Sequence, residues 1–216
     1  MSKQVISTPV IRRLPRYYRF LGDLELEKVE RISSRELAAR MGLSASQIRQ
    51  DFNCFGGFGQ QGYGYHVGEL HEIIGRILGV HEQTGVILIG AGNLGKAIAS
   101  HLDFDSRGCR LIGVFDSNPL LAGTSTHDLP IMPMETLDSF CAMHHPQVAV
   151  LCIPKDAAQQ LADHLISLGI KGFWNFSHFD LKIASPDVIV ENVHLGDSLM
   201  TLAYCMHSLG EDEENS

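Results

Sequence analysis

The 216-residue chain has no apolar run near the roughly 18 to 20 residues that a membrane-spanning helix requires, and its opening MSKQVISTPVIRRLPR lacks the apolar core of a secretory signal. A cytoplasmic protein without a membrane partner is expected. The five cysteines, Cys54, Cys109, Cys141, Cys152 and Cys205, are odd in number and form no CxxC pair. That argues against a disulfide framework and against the common zinc modules. Reduced thiols and no metal are expected, since Cys141 beside His144 and His145 offers three crowded ligands and no fourth. Basic residues are the scarcer charge, 17 against 25 acids, for a net of −8. The scarcity is uneven: residues 1–80 carry 11 Lys and Arg against 8 acids, whereas residues 81–216 carry 6 against 17. A polyanion would prefer the N-terminal end.

In that end Thr8 reads as a helix cap with Pro9 in the first turn. Val10, Leu14, Tyr17/Tyr18, Leu21 and Leu24 then recur at helical spacing, with Pro15 expected to kink the helix or delay its start. Ser33 with Glu36 forms a capping box and Gly42 a left-handed stop. Ser44 with Gln47 forms a second box, opening a helix through about Asn53. Two short capped helices about a glycine turn have the spacing of a helix-turn-helix. On the second, Ile48 and Phe52 must face the core, joined by Leu37 and Met41. At about 100° per residue, Ser46, Arg49, Gln50 and Asn53 project away from them. Arg, Gln and Asn are side chains that make bidentate bonds to base edges in the major groove. The aromatic and glycine alternation from Phe55 to Tyr65 suits a β-hairpin wing with Gln60 and Gln61 near its tip. The expected DNA contacts are Arg12, Arg13 and Arg16 on phosphates, Ser44, Ser46, Arg49, Gln50 and Asn53 on the reading helix, and Gln60, Gln61 and Tyr63 on the wing. A helix from Val67 to Leu78, ended by Gly79, completes this part.

The remainder opens with an apolar strand running into Gly90-Ala91-Gly92-Asn93-Leu94-Gly95 and a helix. A second strand ends in Asp116, 21 residues beyond Gly95. Strand, G-x-G-x-x-G, helix and distant carboxylate together form the dinucleotide fingerprint. Gly90 permits the turn, Gly92 lets backbone N–H groups approach a pyrophosphate, Gly95 lets the helix pack, and the helix N-terminus favours the negative charge. Asp116 would accept both ribose hydroxyls and repel a 2′-phosphate, favouring NAD and NADH over their phosphorylated forms. Further alternation follows: a helix over 134–144, a strand over 148–153, a helix over 156–168, and strands over 170–174 and 188–192. A doubly wound, mostly parallel sheet binds ligands beyond its carboxyl strand ends, which places Ile153, Pro154 and Asn175 beside the cofactor. The final helix, 197–209, sets Leu199, Leu202/Ala203, Met206 and Leu209 on one face, and an acidic tail is expected to fray.

Three stretches, SASQIRQDFNCFGGFGQQGYGY (44–65), VILIGAGNLGKAIA (86–99) and IKGFWNFS with VENVHLGDSL (170–177 and 190–199), resemble the redox-sensing transcriptional repressor family Rex, over about residues 9–209. The resemblance implies a homodimer of winged helices on palindromic operator DNA, a Rossmann domain binding NADH and NAD+ competitively, and a C-terminal helix exchanged between protomers. The expected α/β organisation is a winged helix-turn-helix domain over 1–79, a linker over 80–84, a doubly wound Rossmann domain over 85–195, an exchanged helix over 196–210 and the tail over 211–216. Three departures stand out. Gln50 and Gln60-Gln61 replace basic residues common in that family. His194 stands where it often has Asp, and His101 where it often has Tyr. The family's coupling of a helix 1 arginine, here Arg19, to those two positions therefore cannot carry over unchanged. Both histidines are assigned to the cofactor end, and two readings are open: satisfied or solvated side chains with no switching role, which is the favoured one, or groups that make the ligand response sensitive to pH. No substrate pocket or acid-base pair accompanies the nucleotide motif, since His178, Lys155 and Lys182 have no partner constellation, so a non-enzyme is expected. The rivals are an NAD-dependent oxidoreductase and a CoA-binding module, the latter suggested by Cys152-Ile-Pro-Lys-Asp-Ala-Ala before Gly169-Ile-Lys-Gly.

Overall fold

A computed structural model describes residues 6–56 and 64–214, excepting the side chains of 209–214. The chain divides between Glu82 and Gln83 into two compact units. The first contains α1 (Thr8–Leu26), β1 (Arg31–Ile32), α2 (Ser34–Met41), α3 (Ala45–Asn53), β2 (Tyr65–His66) and α4 (Val67–Leu78). Val10, Leu14, Tyr17, Leu21 and Leu24 bury one stripe of α1, as their spacing requires. The cap is Ser7, one residue before the expected Thr8, and Pro9 falls in the first turn, where a missing N–H costs nothing. Pro15 neither delays nor ends the helix. It stands on the exposed face, where the carbonyl it deprives of a partner can turn to water.

Ser33 and Glu36 exchange side-chain and backbone hydrogen bonds at the start of α2, a cap of about 1 kcal/mol, and Gly42 closes the helix at φ 65°. Ser44 Oγ accepts from the Gln47 N–H, but the second box is one-sided because the Gln47 amide runs to Asp51 instead. The expected wing lies outside the described residues from 57 to 63, together with Gln60, Gln61 and Tyr63. Its exit is β2, which pairs antiparallel with β1, Arg31 opposite His66 and Ile32 opposite Tyr65. A strand of two residues has no alternation to read, so β1 has no signature in the sequence. Aromatic edges lock these parts together: the Tyr17 and Phe52 rings lie 5.0 Å apart, and Phe52 and Tyr65 5.1 Å.

The second unit contains β3 (Thr84–Ile89), α5 (Asn93–His101), β4 (Cys109–Asp116), β5 (Ser125–Thr126), β6 (Leu129–Pro133), α6 (Leu137–His144), β7 (Val148–Leu151), α7 (Lys155–Ser167), β8 (Gly172–Asn175), β9 (Ile189–Asn192) and α8 (Leu195–Glu214). The sheet runs β5-β6-β4-β3-β7-β8-β9, parallel throughout except for the β5 to β6 pair. Among the parallel strands this is the doubly wound Rossmann order, and it reverses direction between β3 and β7. β3 starts at Thr84, inside the expected linker. β7 ends at Leu151 rather than 153, although the Cys152 N–H still donates to the Ile89 carbonyl at 2.8 Å. β5 and β6 have no counterpart in the sequence reading, because Pro130 and Pro133 within LPIMP disguise an outer strand. A short 3-10 turn, Met134–Thr136, precedes α6 where a longer helix was expected. α8 begins at Leu195 rather than 197 and continues to Glu214, into the segment expected as a tail. Glutamate is a good helix former, and the preceding turns remove the nucleation cost. Among the described residues, no helix is long and apolar enough to cross a membrane.

Candidate nucleic-acid interface and dinucleotide site

α3 turns Ile48 and Phe52 wholly inward and leaves Ser46, Arg49, Gln50 and Asn53 exposed on the opposite side. Ser44 is exposed as well, its hydroxyl 3.0 Å from that of Ser46. Arg49 donates to Ser34 Oγ at 3.1 Å, an exposed contact that a stronger acceptor would displace. Arg12 is exposed on α1. Two arginines expected on phosphates are instead turned toward the protein. Arg13 grips the Asp51 carboxylate with Nε at 2.6 Å and Nη2 at 2.8 Å, and Arg16 donates to the Met41 carbonyl and stacks 5.8 Å over the Phe20 ring. The sequence reading missed Asp51, which is fully buried on the inner side of α3. It also accepts from Tyr17 Oη at 2.6 Å and Gln47 Nε2 at 2.9 Å. Burial alone would raise its pKa, but the bonds from Arg13, Tyr17 and Gln47 and the Arg13 charge outweigh it and hold the carboxyl below the usual carboxylate range. Burial and the bond to Asp51 push the Tyr17 phenol well up, and the Arg13 bonds to the same carboxylate raise Arg13. The available signal was an acid beside the apolar positions of a helix whose neighbour carries a row of arginines.

In the second unit, the glycine loop leaves β3 at the sheet's reversal point. Gly90 has φ 97°, and a Cβ there would lie 2.3 Å from the Cys152 carbonyl oxygen; at Gly95 it would lie 1.9 Å from the Gly90 carbonyl oxygen. Both positions are closed to any side chain. At Gly92 a Cβ would meet nothing within 4 Å, so that face is open to a ligand. Gly92 caps α5 without a side-chain bond. The first N–H groups of the helix, at Asn93, Leu94 and Gly95, are thus left for an anion. Ala91 is buried and donates its N–H to Asp116 Oδ2 at 2.6 Å, while Asn118 N–H reaches Oδ1 at 2.7 Å. Each carboxylate oxygen keeps lone-pair capacity for a ribose hydroxyl.

A cavity of about 560 Å³ begins at Gly90, Gly92 and Asp116, passes Ile153 and Pro154, and follows α7 past Ala157, Gln160 and Leu161 to His164, with Met134 opposite. Its size and mostly apolar wall suit a nucleotide. Of the expected cofactor residues, Gly90, Gly92, Asp116, Ile153 and Pro154 line it, and Ala91, Asn93, Leu94, Gly95, Asn175, His101 and His194 do not. Asn175 is buried with its bonding spent inside the protein: Nδ2 donates to the Phe179 carbonyl at 2.6 Å and Asn192 Oδ1 at 2.8 Å, and Oδ1 accepts from Ser177. It fixes the turn after β8. His194 pairs with Asp180 at 2.8 Å, and His101 is exposed at the end of α5. Cys152 does line the cavity, but burial pushes its thiol up to about 12, an unreactive state. Among the described residues, no three His, Cys, Asp or Glu side chains are grouped to hold a metal.

Residues 5–53 match a family model described as "Putative DNA-binding protein N-terminus", and residues 81–179 match one described as "CoA binding domain". A curated protein of Thermoanaerobacter sp. (strain X514), named redox-sensing transcriptional repressor Rex, is 53% identical over 212 residues, spanning 98% of this chain and 93% of its own. One of Clostridium botulinum (strain Eklund 17B / Type B) with the same name is 49% identical over 202 residues, 94% of this chain and 96% of its own. Among solved structures, RSP in complex with beta-NAD+ and operator DNA matches at TM-score 0.89 and 51% identity, covering 97% of this chain and 96% of that one. RSP in complex with beta-NADH matches at 0.89 and 48%, covering 98% and 99%.

Proposed function

The chain belongs to the Rex family of redox-sensing transcriptional repressors, and we propose that it works as a cytoplasmic homodimer that holds palindromic operator DNA and lets go when NADH displaces NAD+. It is a repressor and not an enzyme. The observation that carries this reading is the union in one chain of an exposed Ser46, Arg49, Gln50 and Asn53 surface with a dinucleotide loop closed by Asp116.

On the DNA, Arg49 reads a base edge, with Gln50 and Asn53 beside it, while Ser44, Ser46 and Arg12 hold the backbone. Arg13 and Arg16 serve the fold of the domain instead. On the cofactor, α5 presents N–H groups to the pyrophosphate, Asp116 holds the adenosine ribose, and the apolar run along α7 covers the adenine. NADH brings a neutral dihydronicotinamide where NAD+ brings a cation, and only a difference in affinity between the two protein states can move the equilibrium.

The homodimer reading rests on α8. Leu199, Met200, Leu202, Tyr204 and Met206 are each more than half exposed in the single chain, on a helix of 20 residues. Solvent exposure of so many large apolar groups marks an association surface, and exchange of α8 with a second copy covers it. The acidic charge of Asp116 also argues against CoA, whose ribose carries a phosphate, despite the match of residues 81–179 to a CoA-binding model.

Mobility shift of a palindromic duplex tests the proposal. Retardation by the free protein, reversed by NADH and restored by excess NAD+, is the expected pattern; indifference of the complex to NADH, or oxidation of NADH on the same time scale, would refute it.

A further inference from the structure

α3 can read a groove only if its rotation about its own axis is fixed, since a turn of one residue swings Arg49 by about 100°. Apolar packing through Ile48 and Phe52 is not directional enough to do this alone. The directional element is Asp51, fully buried between those two positions, whose two oxygens take four hydrogen bonds: two from Arg13, one from Tyr17 and one from Gln47. The Arg13 fork is bidentate, so it constrains angle as well as distance. Tyr17 reaches further: its ring meets Phe52, and Phe52 meets Tyr65 at the exit of the wing. Arg16 binds the last carbonyl of α2, and Arg49 itself touches Ser34 at the start of α2, so the same few side chains tie α1, α2, α3 and β2 together.

We infer that Arg13, Asp51 and Tyr17 are positioning residues for operator recognition, with Arg13 acting through a buried carboxylate and not as a phosphate contact. This rests on α3 being the DNA-reading helix. Arg13 keeps about a quarter of its side chain accessible, and Asp51 takes the Nε/Nη2 edge of its guanidinium, the edge that would form such a fork with a phosphate.

The salt dependence of operator binding separates the two roles, because every phosphate neutralised contributes about 0.9 to the slope of log K against log salt concentration. Full-length Arg13→Ala, Asp51→Asn, their double variant and Tyr17→Phe are compared with the parent by fluorescence anisotropy at several salt concentrations. Trp174 fluorescence verifies that NADH still binds each variant. Arg13→Ala and Asp51→Asn should each weaken operator binding about tenfold or more, the loss of one well-placed base contact. The slope should remain at the parental value, and the double variant should bind no worse than the weaker single one. Tyr17→Phe keeps the ring against Phe52 and removes one bond of four. It should lose a few-fold in operator affinity relative to random duplex, and it serves as the decisive variant if Asp51→Asn does not fold. A slope reduced by about 0.9 in Arg13→Ala, or parental discrimination between operator and random duplex in Tyr17→Phe, would overturn the inference. Failure of the parent to distinguish any operator from random DNA, or of Arg49→Ala to alter binding, would overturn the reading of α3 on which it stands.

Discussion

At the level of single residues, charge has been placed by burial. Asp116 sits at the end of β4 with one backbone donor on each oxygen, and under the proposed function its remaining capacity takes an unmodified ribose. Asp116→Ala is expected to weaken NADH binding, followed by Trp174 fluorescence, while the operator affinity of the ligand-free protein stays at the parental value. Arg49→Ala should do the converse, costing about 1 to 3 kcal/mol of specific DNA binding and leaving the NADH titration unmoved. Asp51 makes stability depend on pH. Its folded pKa lies below the unfolded value of about 3.9, so its stabilisation is present in full above that value and is lost as pH falls through the folded one. Thermal unfolding should therefore show that the parent loses more stability between about pH 4 and 2 than Asp51→Asn does; equal losses would disprove the linkage. The raised Arg13 works at the other end, its contribution fading only at alkaline pH beyond the ordinary range. The Asp116 carboxylate could be read from strand and spacing, because a fingerprint of fixed length reports it. Asp51 could not, since its partners Arg13 and Tyr17 lie 38 and 34 residues away and only the folded domain brings them together.

At the level of elements, the chain announces whatever is long, periodic or capped. α1, α2, α4 and β3 were legible because apolar spacing, the Ser33 to Glu36 box and the stops at Gly42 and Gly79 all act locally. The strands that escaped are short or carry proline: β1 and β5 have two residues each, and β6 ends on Pro133. The Asn175 side chain was misread for a related reason. Strand position says that a residue emerges near the ligand edge, but its side chain is held by Ser177 two residues on and by Asn192, 17 residues away, which only the folded sheet brings near. The glycine turn, by contrast, is legible in its chemistry. Gly95→Ala would drive a methyl group into the Gly90 carbonyl, so β3 and α5 must separate there. NADH binding should fall by at least an order of magnitude in that variant, with α3 and its operator contacts intact. α8 was legible as an amphipathic stripe, though only its exposure shows how much of it needs covering. Leu199→Asp with Leu202→Asp should yield monomers by sedimentation, because each leucine fully covered at an interface is worth about 1.5 to 3 kcal/mol.

For the whole molecule, the basic excess of the first unit and the acidic excess of the second describe a division of labour, one attracting a polyanion and the other leaving attraction of the cofactor to local backbone donors. Under the proposed function two copies of α3 meet one operator, and a palindromic site is held only when the spacing of its half-sites matches theirs. In that function the nicotinamide redox state decides whether the operator is held. The most direct test of this is operator anisotropy at one protein concentration, titrated separately with NADH and NAD+. The complex should dissociate with NADH and persist with NAD+, and Asp116→Ala should move the NADH midpoint upward. A complex equally stable in both nucleotides at saturation would contradict the account.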